Sequence, residues 1–306
     1  MATVIGKGVQ LYYEVHGSET APAMIFTHGA GWDHRQWEPQ VDVFSRNFRV
    51  IVWDVRYHGQ SVAADGPIDA ETFSRDLILL LDHLAIEKAI LVGCSMGGHI
   101  SLRTAALYPE RVQALVLMGT PVTSAFNWFN RLQIPFRQRS MQKFVMEVVD
   151  MSLQFFSFFF YGLTMRISSM QSLAKMHAKA LSMYNPSLQD YFYGVTSVHS
   201  KERWMQIFNA VSRMEALAEL TKVQCSTLVI EGDGEWMMRR QHRYICECIP
   251  GTVHKVINHA GHATNLDNPV EVNQYLAEFI AAVLIDDKAD PCRCWCEPLE
   301  LHAAKA

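Results

Sequence analysis

An α/β fold with a mostly parallel central sheet and an inserted helical segment is predicted by three observations. Apolar runs of strand length alternate with helical patterns through both ends of the 306-residue chain. The alternation stops after Gly119 and resumes only near Thr227. One apolar strand, Ala89 to Cys94, turns directly into a helical pattern through Gly93-Cys94-Ser95-Met96-Gly97, the layout of a sheet whose parallel strands are joined by helices.

In chain order, Val9 to Val15 and Ala23 to Thr27 read as strands, Arg35 to Ser45 as a helix and Phe48 to Trp53 as the next strand. A helix over Ala70 to Leu84 precedes the strand at Ala89, Met96 to Tyr108 is the helix after the turn, and Ala114 to Gly119 is a further strand. A structureless loop of about a hundred residues is implausible in a folded chain, so a helical cap above the sheet is expected next. Pro121 and Pro135 punctuate its start. Core strands return at Thr227 and Val253, and the last helix covers Val270 to Leu284. The expected division is core over 1–120, cap over 121–215, core again over 216–285, and a flexible Cys-rich tail over 286–306.

The turn at Ser95 carries the first chemical signal. A strand that reverses sharply into a helix leaves no room for side chains two positions either side of the apex, and Gly93 and Gly97 provide that room. The apex backbone is strained so that its hydroxyl stands out of the sheet, while the helix start aims free amides and the positive end of its dipole at the same point. Ser95 is therefore the candidate nucleophile. Cys94 reads as a small buried residue rather than a second nucleophile.

A serine hydroxyl needs a base, and the base needs an acid to fix its tautomer. Residues 227 to 235 read Thr-Leu-Val-Ile-Glu-Gly-Asp-Gly-Glu, a strand ending in a turn with the carboxylates Glu231, Asp233 and Glu235. Residues 253 to 262 read Val-His-Lys-Val-Ile-Asn-His-Ala-Gly-His, a strand followed by a loop with His259 and His262. Reactive groups gather outside the carboxyl ends of parallel strands, so these turns can converge on Ser95.

From about Val9 to Ile285 the chain resembles the α/β-hydrolase superfamily, serine carboxylesterase and enol-lactonase branch. The resemblance is carried by His28-Gly29-Ala30-Gly31 after the early strand, the Gly-x-Ser-x-Gly turn, and Gly-His-Ala-Thr-Asn-Leu at 261–266. Asp54-Val55-Arg56-Tyr57-His58-Gly59-Gln60-Ser61 also matches a family stretch, with Tyr57 where glycine is usual. The resemblance implies an α/β-hydrolase fold, His262 as general base and an oxyanion hole formed by the amides of Ala30 and Met96. It places the acid three residues after Gly232, at Glu235, with Asp233 as the alternative and Glu231 still on the strand. Some relatives carry the acid after the preceding strand, but Asp and Glu are absent between Glu110 and Glu147. His28 and His58 read as loop-shaping residues.

The implied reaction is hydrolysis of a carboxylic ester or lactone through an acyl-enzyme, without cofactor. Rivals sharing the triad are carbon–carbon bond hydrolases of diketone-like substrates and cofactor-free haloperoxidases. A ligand sensor with vestigial turnover is the rival outside catalysis. Epoxide hydrolases and haloalkane dehalogenases use aspartate at the turn, which Ser95 argues against.

A net charge of -4 and a pI near 6.3 exclude a basic footprint for nucleic acid. With 49% hydrophobic and 19% charged residues, the chain has the makings of a large core. The expected partner is a small hydrophobic molecule. The aromatic stretch Leu153 to Tyr161 reads as cap packing that lines an apolar pocket, with a lipid-interface or homodimer contact through the cap as the alternative. It falls short of the ~18 to 20 residues a spanning helix needs, so stable membrane insertion is not expected. Seven cysteines, an odd number, and a start without a charged-then-apolar leader point to a reducing, cytoplasmic setting. Cys292, Cys294 and Cys296 lack the paired spacing of common zinc sites. Neither an internal repeat nor a residue cluster for a catalytic metal is legible.

Overall fold

The computed structural model describes residues 2–6, 8–64, 66, 69–123 and 162–286. The aromatic stretch at 153–161, Pro135, and Cys292, Cys294 and Cys296 lie outside them. Nine strands among the described residues form one sheet: β1 (Ala2–Gly6), β2 (Val9–His16), β3 (Ala23–Thr27), β4 (Arg49–Trp53), β5 (Val62–Ala63), β6 (Ala89–Cys94), β7 (Val112–Met118), β8 (Ser226–Gly232) and β9 (Val253–Ile257). Their order is β1-β2-β4-β3-β6-β7-β8-β9, with β5 pairing β2. Pairs from β4 to β9 are parallel, and those made by β2 with β1, β4 and β5 are antiparallel.

Parallel strands covered on both faces are apolar throughout. Every residue of β3 and β6 is buried accordingly. Alternate residues serve opposite faces. Ile25, Ile51, Leu91 and Leu115 join one core, while Phe26, Val52, Val92 and Val116 join the other. Burying a Leu or Ile so completely contributes about 1.5 to 3 kcal/mol.

The first core is closed by α2 (Ala70–His83) and α3 (Met96–Leu107), the second by α1 (Glu38–Phe44) and the last helix. In α2, Phe73, Leu77, Leu80 and Leu81 recur on one face, and Asp69 caps its start by accepting from the Thr72 amide. The single helix expected at Arg35 to Ser45 is divided: a 3₁₀ turn, His34–Trp37, precedes α1, whose first turn contains Pro39. Pro39 lacks the N–H that a continuous helix would use there.

Between β7 and β8 the described residues include helices over 162–167, α4 (Met170–Leu181), α5 (Gln189–Ser197) and α6 (Lys201–Ser212). After β8 come α7 (Arg239–Cys248), α8 (Thr264–Asp267) and α9 (Pro269–Asp286). Among the described residues no helix is long and apolar enough to cross a membrane.

The strand order also locates the chemistry. From β3 the chain moves outward to β4, whereas from β6 it moves the other way through β7, β8 and β9. Between β3 and β6 the winding reverses, and a crevice opens at such a reversal beyond the carboxyl ends. The loops that flank it begin at His28 and Ser95.

Candidate active site

Ser95 has φ 53° and ψ -118°, left-handed backbone in a residue with a side chain. That conformation costs on the order of 1 to 3 kcal/mol and persists only where its surroundings enforce it. Here the Ser95 amide donates to the Met118 carbonyl at 2.7 Å, and the Ser95 carbonyl accepts from His99. A Cβ on Gly93 would stand 2.3 Å from the Gly97 carbonyl oxygen, and one on Gly97 would stand 2.1 Å from that of Thr27. Both glycines are therefore steric requirements of the turn. Cys94 beneath it is fully buried, and burial pushes its thiol well above the usual range, as fits a small packing residue.

The absence of a side chain at Gly97 brings the start of α3 onto the carbonyls of Thr27 and His28, just before Ala30. The amides of Ala30 and Met96 make no hydrogen bond to the described residues. The intervening loop is shaped by His28, whose Nδ1 donates to the Gly29 carbonyl at 2.7 Å while Nε2 accepts from the Val55 amide at 3.0 Å. His58 Nδ1 donates to the Arg56 carbonyl. Burial depresses the pKa of both rings, which are neutral scaffolding as their loop positions suggested.

Of the three carboxylates, Glu235 meets the imidazole: His262 Nδ1 lies 2.6 Å from Glu235 Oε1. Glu235 is only 4% exposed. Burial alone would lower the His262 pKa, but the charge and hydrogen bond of Glu235 outweigh it and raise the pKa above the ordinary 6.5. Asp233 is exposed and accepts from the Ala260 amide at 3.1 Å, so it braces the histidine loop by its backbone. Glu231 is on β8 and His259 is exposed.

Ser95 and His262 are brought together through their neighbours. Cys94 Sγ is 3.8 Å from the His262 carbonyl, and Gly119, next to the Met118 that holds Ser95, abuts the His262 ring. No hydrogen bond joins the Ser95 hydroxyl to His262. Links of this kind commonly tighten in the Michaelis complex.

Aromatic groups pack around His262 and the loop after β3. Trp32 stands edge-on to His262 with centroids 6.0 Å apart and packs on Phe192 of α5, while Trp204 of α6 occupies the space beside Gly31. Tyr57, at the position where glycine is usual, keeps left-handed backbone at φ 68°. Its hydroxyl donates to the Ala64 carbonyl, and the Arg203 guanidinium of α6 lies 4.0 Å from its ring centroid. The departure thus supplies a cation–π contact between the core loop and the helices above it.

A family profile described as alpha/beta hydrolase fold matches residues 22–269. The chain belongs to this family. The relatives of this α/β hydrolase carry several named activities. It is 34% identical over 134 residues to 3-oxoadipate enol-lactonase 2 of Acinetobacter baylyi, covering 43% of this chain and 50% of that protein, so the match spans half of the lactonase's length. It is 24% identical over 279 residues to RutD of Pseudomonas savastanoi pv. phaseolicola, a carbamate hydrolase by name, covering 89% of this chain and 99% of the other. The solved structure of the enol-lactonase from Burkholderia xenovorans LB400 superposes with a TM-score of 0.74 at 23% identity, covering 92% of this chain and 100% of that one.

Two features of this α/β hydrolase were not legible in its sequence. Asp267 is close enough to affect the titration of His262. Its pKa is pushed up to about 6, chiefly by burial, although its Oδ2 accepts from the Gly261 amide at 2.8 Å. Glu231, His242 and His254 also converge, with donor atoms within 4.8 Å of one another. That spacing is compatible with a metal, but the tautomer of His242 opposes one. Nε2 accepts from the Thr120 amide, so Nδ1 carries the proton and donates it to Glu231. A metal at Nδ1 would force a proton onto Nε2, facing another donor. Their separations of 11 and 12 residues, on three elements, match no ligand motif.

Proposed function

We propose that this chain is a serine hydrolase acting on small hydrophobic or aromatic carboxylic esters or lactones through an acyl-enzyme. The observation that carries this reading is the buried 2.6 Å contact of Glu235 with His262, formed beside a serine in a left-handed turn.

In the first half-reaction His262 Nε2 takes the Ser95 hydroxyl proton as Oγ bonds to the acyl carbon. The carbonyl oxygen becomes an oxyanion that accepts from the amides of Ala30 and Met96, each such donor contributing about 2.7 to 4 kcal/mol to the transition state. Glu235 holds Nδ1–H and offsets the imidazolium charge. The bond from carbon to the leaving oxygen breaks as that oxygen takes the proton from Nε2. In the second half-reaction His262 deprotonates water, hydroxide displaces Ser95 from the acyl carbon, and the serine recovers its proton.

Trp32, Phe192 and Trp204, packed around His262 and the loop after β3, make the surroundings of the site apolar, which supports a hydrophobic or aromatic substrate. Lactonase and esterase names among the relatives and structural neighbours agree with an acyl carbon as electrophile. The reading is tested with wild-type and Ser95→Ala protein on aryl esters, lactones and vinylogous diketones. Sustained ester or lactone turnover that Ser95→Ala abolishes is expected. Turnover of diketones alone would favour carbon–carbon hydrolysis, and tight binding with at most one turnover a sensor.

A further inference from the structure

The segment Gly119 to Thr123 leaves the carboxyl end of β7 without joining another strand, so its backbone polar groups need other partners. Val122 and Thr123 both donate to Gln241 Oε1 at 3.0 Å. The Pro121 carbonyl accepts from His99 Nδ1 at 2.8 Å, and the Val122 carbonyl accepts from the Ala216 amide at 2.9 Å. Thr120 donates its amide to His242 Nε2 at 3.2 Å. Two consecutive residues of α7, Gln241 and His242, thus hold three amides of one strap.

We propose that the Glu231–His242 pair positions the Glu235–His262 dyad by holding the Thr120 amide and, through it, the Gly119 backbone against which the dyad packs. The proposal rests on the reading of Glu235 and His262 as acid and base. Gly119 has φ 54°, and a Cβ there would lie 3.0 Å from Glu235 Oε2 and from His262 Nδ1 and Cε1. On the other side Thr120 Oγ1 fills the space beside Gly98, where a Cβ would stand 2.0 Å away. The strap is therefore wedged between the helix that follows Ser95 and the dyad, and a small shift would change the room left to both.

His242 is completely buried, and Glu231 at Nδ1 together with the Thr120 amide at Nε2 sets which nitrogen carries the proton. Glu231 Oε2 accepts from His242 Nδ1 at 3.0 Å and lies 3.3 Å from His254 Nε2, while Oε1 accepts from Arg239 Nε at 3.0 Å. Burial opposes ionisation, but these hydrogen bonds hold the carboxyl well below the usual range. The carboxylate accepts from Nδ1–H, and the Thr120 amide donates to Nε2 on the other side of the ring. Neither side chain touches the reacting atoms in this scheme, and both act through the strap.

The experiment compares wild type with His242→Leu, His242→Gln and Glu231→Gln. Its readouts are the His262 imidazole titration by NMR, kcat and KM on an aryl ester, and thermal stability. His242→Leu should lower the His262 pKa toward the ordinary imidazole value and lower kcat by about 10- to 100-fold, with KM little changed, as expected for a small misplacement of reacting groups. His242→Gln, whose amide can both accept from Thr120 and donate to Glu231, should restore the titration and most of kcat. Should His242→Leu not fold, Glu231→Gln decides: its neutral amide can donate to Nδ1, releases the tautomer and should also lower the His262 pKa. An unmoved His262 titration in the folded variants would overturn the proposal. So would equal losses in the Leu and Gln variants that track their loss of thermal stability. The NMR titration needs no turnover, so it still decides the positioning claim if Ser95→Ala shows the hydrolase reading to be wrong.

Discussion

His262 Nδ1 is 2.6 Å from Glu235 Oε1, and the carboxylate that makes this contact is shielded from water. A charge-assisted hydrogen bond in such surroundings is stronger than its exposed counterpart. It fixes the imidazole with Nε2 available to a hydroxyl.

Replacing each carboxylate by its amide separates the two acids of the β8 turn. Glu235→Gln should lower kcat by about 10²- to 10⁴-fold, since the amide can present its N–H to the ring and favour the wrong tautomer. Asp233→Asn retains an acceptor for the Ala260 amide and should leave kcat within about threefold of wild type. Steady-state kinetics on one aryl ester checks both, and the reverse ranking would transfer the acid role to Asp233.

In the proposed mechanism His262 works as neutral imidazole, and Glu235 raises its pKa. The rate should therefore rise with pH along a limb centred above the ordinary value of about 6.5 and level off at higher pH. A pH profile of kcat/KM that is flat from about pH 5 to 8 would remove His262 from the mechanism.

Asp267 makes an opposite kind of contribution. Its folded pKa of about 6 lies above the unfolded carboxyl value of about 3.9, so the folded state binds this proton more tightly. Stability from this group is present below the unfolded value and is lost as pH rises toward 6. Asp267→Asn keeps an acceptor for Gly261 and removes the buried charge. It should raise the melting temperature relative to wild type at about pH 8 and lose that advantage near pH 4. Equal differences at the two pH values would show that the carboxyl charge is not responsible.

Gly97→Ala tests the turn by steric means alone. The new methyl would stand 2.1 Å from the Thr27 carbonyl oxygen, and neither backbone can yield without moving the loop that contains Ala30. A loss of about 1 to 3 kcal/mol in denaturant unfolding is expected, together with a fall in kcat. Wild-type stability and activity would show that the close approach is not required.

Most of the frame was legible because β3, β4, β6, β7 and β8 are each built around an apolar run, and the glycines around Ser95 announce a turn that other residues fit poorly. Glu235 could be counted from Gly232, although its burial could not. β1 and the two-residue β5 escaped because short edge segments carry little periodicity. The break before α1 depends on which N–H groups Pro39 lacks, a local effect within an otherwise helical pattern. Asp267 and the Glu231–His242–His254 cluster are products of folding in space. Their residues are ordinary until α7, β9 and α8 bring them against the sheet edge.

The central claim is that Ser95 is a nucleophile activated by His262. Its most direct test is exposure of the intact protein to a fluorophosphonate, followed by mass measurement and peptide mapping. The account predicts a single adduct on the peptide containing Ser95, formed by wild type and absent in Ser95→Ala, and much slower in His262→Ala. Labelling at another residue, or labelling of Ser95 at the same rate without His262, would contradict it.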